Sequence, residues 1–160
     1  MRLWHYQLLP YLPDLQFKGQ LRELVLIMKQ RREGTCNHLL INKVMEYPLS
    51  ALYVYAQWYL KNYEKRYGKT PTSLVTEMEK YDALITKDSI VRDAMELTLR
   101  TFDRPRPMKL LWHEYRYLRV CMANLYEKHF YGKGKSRISD EDWGKITKCY
   151  EEITWEEYQV

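Results

Sequence analysis

Three cysteines, six glycines and six prolines are all that this 160-residue chain has of the residues that crosslink, loosen or break a fold. Cys36, Cys121 and Cys149 form no CxxC and cannot all pair. That excludes a disulfide scaffold or a zinc ribbon and fits a reducing, cytoplasmic home. So little glycine and proline excludes a collagenous or low-complexity chain. No apolar run approaches the roughly 20 residues of a membrane helix. Pro10 and Pro13 interrupt the opening MRLWHYQLLPYLP where the apolar part of a secretory signal would run. No GxxxxGK[ST], GxGxxG or GxSxG occurs, so a phosphate-cradling loop and an elbow nucleophile are missing. His5, His38, His113 and His129 make no HxxxH or HExxH pair, and no metal or cofactor is expected.

No stretch alternates with period two for long enough to make a sheet. The helical period dominates instead. Asp14, after Pro13, can cap a helix that runs to about Arg32 and stops at Gly34. Its apolar stripe is Phe17, Leu21, Leu24, Val25 and Met28. A second helix runs from Pro48 or Leu49 to Gly68 on the stripe Leu52, Tyr55, Tyr59, Tyr63 and Tyr67. Thr70–Pro71 opens a third, ending near Ile85, because proline suits the first helical turn. A weaker segment covers about Asp88 to Leu99. Arg104-Pro105-Arg106-Pro107 is a break. A long helix follows from about Met108 to Phe130, with Leu111, Tyr115, Leu118, Met122 and Leu125 on one face. Gly132 and Gly134 end it, and Ser139 followed by Asp142 resembles a capping box for a last, acidic helix. The expected architecture is all-α, a single compact domain of about five to six helices.

What the chain does have in quantity is tyrosine, with fifteen, and five tryptophans beside them. The net charge of +5 is unevenly spread. Residues 1–40 carry net +3, 41–99 balance, 100–137 carry net +7 and 138–160 carry net −5. Two basic blocks with interleaved aromatics suit a nucleic-acid partner, though a solvated helical surface has the same composition. The tyrosine stripe at 55, 59, 63 and 67 has core spacing. His129, Phe130 and Tyr131 are better base-stacking candidates, since Lys128, Lys133 and Lys135 sit beside them.

The first helix carries the pattern with chemical content. Between Leu15 and Arg32 lie Lys18, Arg22, Lys29, Arg31 and Arg32, and a single acid, Glu23. Lys18, Arg22 and Lys29 fall at i, i+4 and i+11, one stripe of a helix and a match for a phosphate backbone. A carboxylate there is repelled by DNA phosphates, so its presence suggests acid-base or cation-stabilising work. A salt bridge that offsets helix self-repulsion accounts for it equally.

Gln20-Leu21-Arg22-Glu23-Leu24 resembles the Arg-Glu-Leu core of the pyrimidine-dimer DNA glycosylases, the bacteriophage endonuclease V-like family. In that family the Arg-Glu pair lies on the first long helix at a similar distance from the start. The opening Met-Arg-Leu-Trp-His-Tyr with Pro10-Tyr11-Leu12-Pro13, and Asn37-His38-Leu39-Leu40-Ile41-Asn42-Lys43, resemble blocks of a bacterial branch. Tyr126-Glu127-Lys128-His129-Phe130-Tyr131-Gly132-Lys133 is similar to the aromatic WYKYYGK stretch that closes the phage enzyme. The likeness is good over 1–67, thin over 70–107 and moderate over 108–134.

The resemblance implies an endonuclease V-like helical domain over 1–137 with an acidic extension, 138–160, packed on it. It implies a glycosylase and abasic-site lyase that acts on damaged, pyrimidine-dimer duplex DNA, and a cytoplasmic monomer without a membrane partner is expected. The α-amine attacks the sugar C1′, the base departs, and the Schiff base undergoes β-elimination. An α-amine, with a reference pKa of ~7.7–8, is partly neutral at cellular pH where lysine is not. Met1 and Glu23 are then the catalytic residues, and Arg2, Lys18, Arg22, Lys29, Lys128, His129, Tyr131 and Lys133 contact DNA. The family has threonine after its initiator Met. Here Arg2 should block initiator removal, which places the amine on Met1, up to ~3.8 Å away from the family position. Met1 in a roomier site, another amine such as Lys18, and loss of catalysis are all compatible with that change. A non-catalytic DNA-binding relative and a helical interaction module are the alternative readings. The acidic helix, anchored by Trp143 and Trp155, either competes with DNA for the basic face or completes the core.

Overall fold

The computed structural model describes residues 3–35, 44, 49–85 and 115–155. Within them the chain is all-α, with no strand among the described residues. A 3-10 turn, Tyr6–Tyr11, leads into α1 (Asp14–Glu33), followed by α2 (Leu49–Tyr67), α3 (Thr72–Ile85), α4 (Tyr115–Phe130), a second 3-10 turn at Gly134–Ser136, and α5 (Asp140–Ile153). The segment 88–99, the Arg104–Pro107 break and the expected helical residues before Tyr115 lie outside the described residues.

The ends of the helices follow their local chemistry. Asp14 places a carboxylate in the first turn of α1, where the helix dipole favours it, and Arg31 and Arg32 lie in the last turn. Gly34 then takes φ 69°, a left-handed conformation that stops the helix without a Cβ penalty. At α5 the Ser139 hydroxyl accepts the Asp142 N–H at 3.1 Å, the N-cap bond expected from that pair.

The described residues fall into two compact units. The first takes in Leu21 onward through α2 and α3. Its core holds Leu24, Ile27, Met28, Leu52, Tyr55, Tyr59 and Leu74, all essentially without solvent contact. Tyr81 is buried too, and its hydroxyl donates to the Met28 carbonyl at 2.9 Å. Tyr55, Tyr59 and Tyr63 of the α2 stripe are core, as their spacing predicted, whereas Tyr67 at its end is half-buried. On α1 the buried face differs by a residue from the expected stripe. Ile27 is buried, whereas Leu21 and Val25 are only half-buried. Neighbouring positions on a helix differ by about 100°, so a stripe drawn from spacing alone misses its centre by one position easily.

The second unit joins Trp4–Gln20 to the chain from His113 onward. Its core includes Leu8, Leu9, Phe17, Leu118, Leu125 and Ile146. The Trp4 N–H donates to Gln20 Oε1 at 2.7 Å, both groups buried. The His5 N–H reaches Cys121 Sγ at 3.4 Å, and Cys149 Sγ donates to the Gln7 carbonyl at 3.7 Å. Neither cysteine is in a disulfide, both are buried, and burial pushes the Cys149 thiol up to about 12. The acidic helix α5 completes this core through Ile146, Cys149 and Ile153. Trp155 does not anchor it, because that ring is 78% exposed. It lies two residues beyond Ile153, past the end of the packed face.

Candidate nucleic-acid interface

On α1 the two ends of the predicted basic stripe differ in their surroundings. Arg22 and Lys29 are exposed, and Glu23 is half-buried beside Arg22. Lys18 is exposed and paired with Asp14 one turn earlier at 2.5 Å. Both partners are more than half exposed, so the pair is a weak surface contact that a phosphate can displace. Gln20, which holds the Trp4 backbone, precedes Glu23 by less than one helical turn. Met1 and Arg2 lie outside the described residues.

The last turn of α1 treats its cation differently. Arg32 Nε donates to Glu77 Oε1 at 2.8 Å, and the Glu77 side chain is only 5% exposed. Lys80 reaches the other Glu77 oxygen at 3.4 Å. The Glu77 hydrogen bond raises the Arg32 pKa further above its already high value. Glu77 gave no signal in the sequence, since neither its spacing nor its neighbours set it apart from other helix-face acids.

In the second unit, the residues expected to stack on bases divide. Tyr131 is 74% exposed and Phe130 52%. Lys133 is exposed and Lys128 half-buried. His129 is buried at 6% exposure, which closes it to a base. Its ring stacks on Trp143 with centroids 5.2 Å apart and planes 9° from parallel. Its Nδ1–H donates to the Ile138 carbonyl at 3.0 Å, and Nε2 lies 3.7 Å from Asp140. This imidazole ties the end of α4 to the start of α5. Its charge neighbours suggested an exposed side chain, but its helical position turns it inward.

The turn between these helices is tightly built. The Lys128 carbonyl accepts the Ile138 N–H at 3.3 Å. A Cβ on Gly132 would stand 2.2 Å from that same carbonyl oxygen, closer than any side chain tolerates. Glycine is required there, and it lets the backbone fold back on α4. The turn thereby presents Lys133, Lys135 and Arg137 within five residues, all exposed. Tyr126 joins the exposed rings, with centroids 4.4 Å from Phe130 and 6.0 Å from Trp143. Trp143 and Tyr126 belong to this aromatic group although the sequence pattern did not single them out for it.

A family model described as pyrimidine dimer DNA glycosylase matches residues 1–75. The match is a similarity to that family over just under half of the chain. It spans Lys18, Arg22, Glu23 and Lys29, and it ends early in α3. Lys128, His129, Tyr131 and Lys133 lie beyond it. No curated protein and no solved structure matches the chain. Among the described residues no helix is long and apolar enough to cross a membrane.

Proposed function

We propose that this chain is a pyrimidine-dimer DNA glycosylase with abasic-site lyase activity, of the bacterial branch of that family, acting as a cytoplasmic monomer. The observation that carries the reading is the family match over 1–75, with Arg22 and Glu23 inside it on an ordered helix. The Met1 α-amine attacks C1′ of the damaged nucleotide. The glycosidic bond breaks and the base leaves with its bonding electrons. The attached nitrogen loses a proton, its lone pair expels the ring oxygen O4′ from C1′, and the opened sugar is held as the Schiff base. Glu23 stabilises the cationic centre and takes the proton whose removal starts β-elimination. Arg22, Lys29 and Lys18 hold backbone phosphates, and Arg2 acts with them. Lys128, Tyr131 and Lys133 contact the duplex from the second unit, while His129 positions the turn that carries them. Residues 1–137 form the DNA-processing part, and 138–160 complete it. The Trp4–Gln20 bond supports the assignment, because it ties the chain three residues after Met1 to the helix that bears Glu23.

Borohydride reduction on an abasic-site duplex tests the mechanism. A covalent adduct mapping to Met1 is expected. An adduct on Lys18 would move the nucleophile. Duplex binding without any adduct would leave a non-catalytic DNA-binding relative.

A further inference from the structure

A groove of about 600 Å³ runs between α4 and α5, wholly within the second unit. Its shape follows from the order of side-chain sizes on the two helices. On α4, Arg119, Ala123 and Glu127 stand at i, i+4 and i+8, one face, with the small residue in the middle. On α5, Trp143, Thr147 and Tyr150 repeat the pattern, large, small, large. Small floors between tall ends make a bowl, and its volume is that of a small-ligand site. Tyr126 and Tyr131 add aromatic surface at the Glu127 end. A planar, unsaturated ligand suits such walls.

The polar groups at the two ends are opposite in kind. Arg119 and Glu127 are separated by about 12 Å of helix rise at ~1.5 Å per residue. Among the described residues neither head group is held in an ion pair, although the Arg119 guanidinium lies 5.9 Å from the centre of the Tyr115 ring. The Tyr115 and Tyr150 hydroxyls lie 3.4 Å apart at that end. One end thus offers a fork of donors and the other a pair of acceptors. Guanine is the base that presents acceptors on one side, O6 and N7, and donors on the other, N1–H and the N2 amine. Adenine sets its N6 amine against a guanidinium. Cytosine offers an amine to a carboxylate but has no O6–N7 pair for the arginine.

We infer that this groove is a binding site for an unstacked guanine base, with Glu127 and Arg119 as its specificity determinants. The site needs no phosphate contact inside the bowl, where Glu127 repels one. Lys128 and Lys133, next to the Glu127 end in sequence, hold the phosphate outside it. The guanine comes either from a free nucleotide or from an unpaired position in DNA. Only the second source rests on the function proposed above.

Titration of the full chain with dGMP, dAMP and dCMP, followed by NMR line shifts, tests the site. dGMP should bind at least tenfold more tightly than the other two. Ala123→Leu fills the floor at an exposed position and should weaken dGMP at least tenfold with the melting temperature kept. Glu127→Gln should bring dGMP down to the level of dAMP, an independent check should the leucine disturb folding. Absence of saturable dGMP binding, equal binding of the three, or indifference to both substitutions overturns the inference. A trinucleotide with central guanine that binds more tightly than dGMP identifies DNA as the source, and the reverse identifies a free nucleotide; either result upholds the site. Nicking of dimer-containing duplex is read separately. A chain that nicks but ignores dGMP loses this inference alone, and one that binds dGMP but never nicks loses only the lyase reading.

Discussion

Glu23 and Glu77 are both acids among cations in the same unit, yet their surroundings differ. Glu77 is buried, and two cations close on it, Arg32 at 2.8 Å and Lys80 at 3.4 Å. A carboxylate so placed has lost most of its water, and these partners replace the lost hydration. Glu23 sits half-buried next to Arg22, which with Lys29 is open to solvent. It keeps access to whatever those cations attract. Surrounding charge is alike at the two positions, and burial is the difference between them. The comparison yields a crossed expectation. Loss of Glu23 should cost rate and leave stability, and loss of Glu77 should do the reverse.

The largest effect is expected at Glu23. Glu23→Gln should lower nicking of dimer duplex by about 10²–10⁴-fold, the usual share of a positioned acid-base group. Duplex affinity should hold or rise slightly, since a negative charge leaves the phosphate-binding face. Single-turnover nicking beside a binding isotherm reads both. A variant that nicks normally would make Glu23 a surface salt-bridge residue. Glu77→Gln comes next. It removes a charge-assisted bond at a buried site and leaves Arg32 only its longer contact with Glu33, at 3.6 Å. About 2 kcal/mol of stability should go, discounted because the Arg32 side chain is 23% exposed. Chemical denaturation measures it, and nicking per folded molecule should be unchanged. If Glu77→Gln instead slowed nicking with stability intact, the contrast between the two acids would collapse.

Much of this was legible before any coordinates. The helical period placed α1, α2 and α3 within two residues of their observed ends, because Asp14, Gly34, Gly68 and Pro71 punctuate them and the stripes between are long. Tyr55, Tyr59 and Tyr63 of α2 were readable as core for the same reason. The Arg22–Glu23 pair was readable from its place in a basic stripe. What stayed hidden depends on long-range placement. Glu77 looks like any acid of α3 until Arg32 folds onto it from 45 positions away. His129 has basic and aromatic neighbours in sequence, but the ring that covers it, Trp143, comes from the next helix. The bowl between α4 and α5 requires two size patterns to face each other, and neither pattern predicts that it has a partner. Trp155 shows the converse error, a large apolar ring that was expected to anchor a helix and remains in solvent.

The cations of α1 sharpen the comparison further. If the exposed stripe binds phosphate, log Kobs against log salt should be linear, and Arg22→Ala or Lys29→Ala should each flatten the slope by about 0.9. Arg32→Ala should not change it, since that guanidinium is committed to Glu77. The same variant should lose stability. Fluorescence anisotropy on one duplex at four or five salt concentrations separates the two behaviours. An equal loss of slope in Arg32→Ala would show that its pair opens to DNA.

The smallest effect belongs to an acid that neither folds nor reacts. Glu141 lies in the first turn of α5 and pairs with Lys145 at 2.7 Å, i to i+4, with both side chains more than half exposed. The Lys145 hydrogen bond, with its charge, holds the Glu141 carboxyl below its ordinary value of 4.5. A carboxyl whose folded pKa is depressed binds protons less readily folded than unfolded. Its contribution is therefore present in full above the unfolded value and fades as pH falls through the folded one. Lys145→Ala should lower the melting temperature slightly at pH 7, and the gap from the parent chain should close as the pH drops below about 4. Added salt should narrow it at neutral pH as well, since nothing shields this pair from ions. Glu77→Gln should keep most of its destabilisation in the same high salt, because its pair is out of water. A Lys145→Ala gap that ignored both pH and salt would mean that the lysine acts through its aliphatic stem, and exposure would then be the wrong criterion for sorting the acids of this chain.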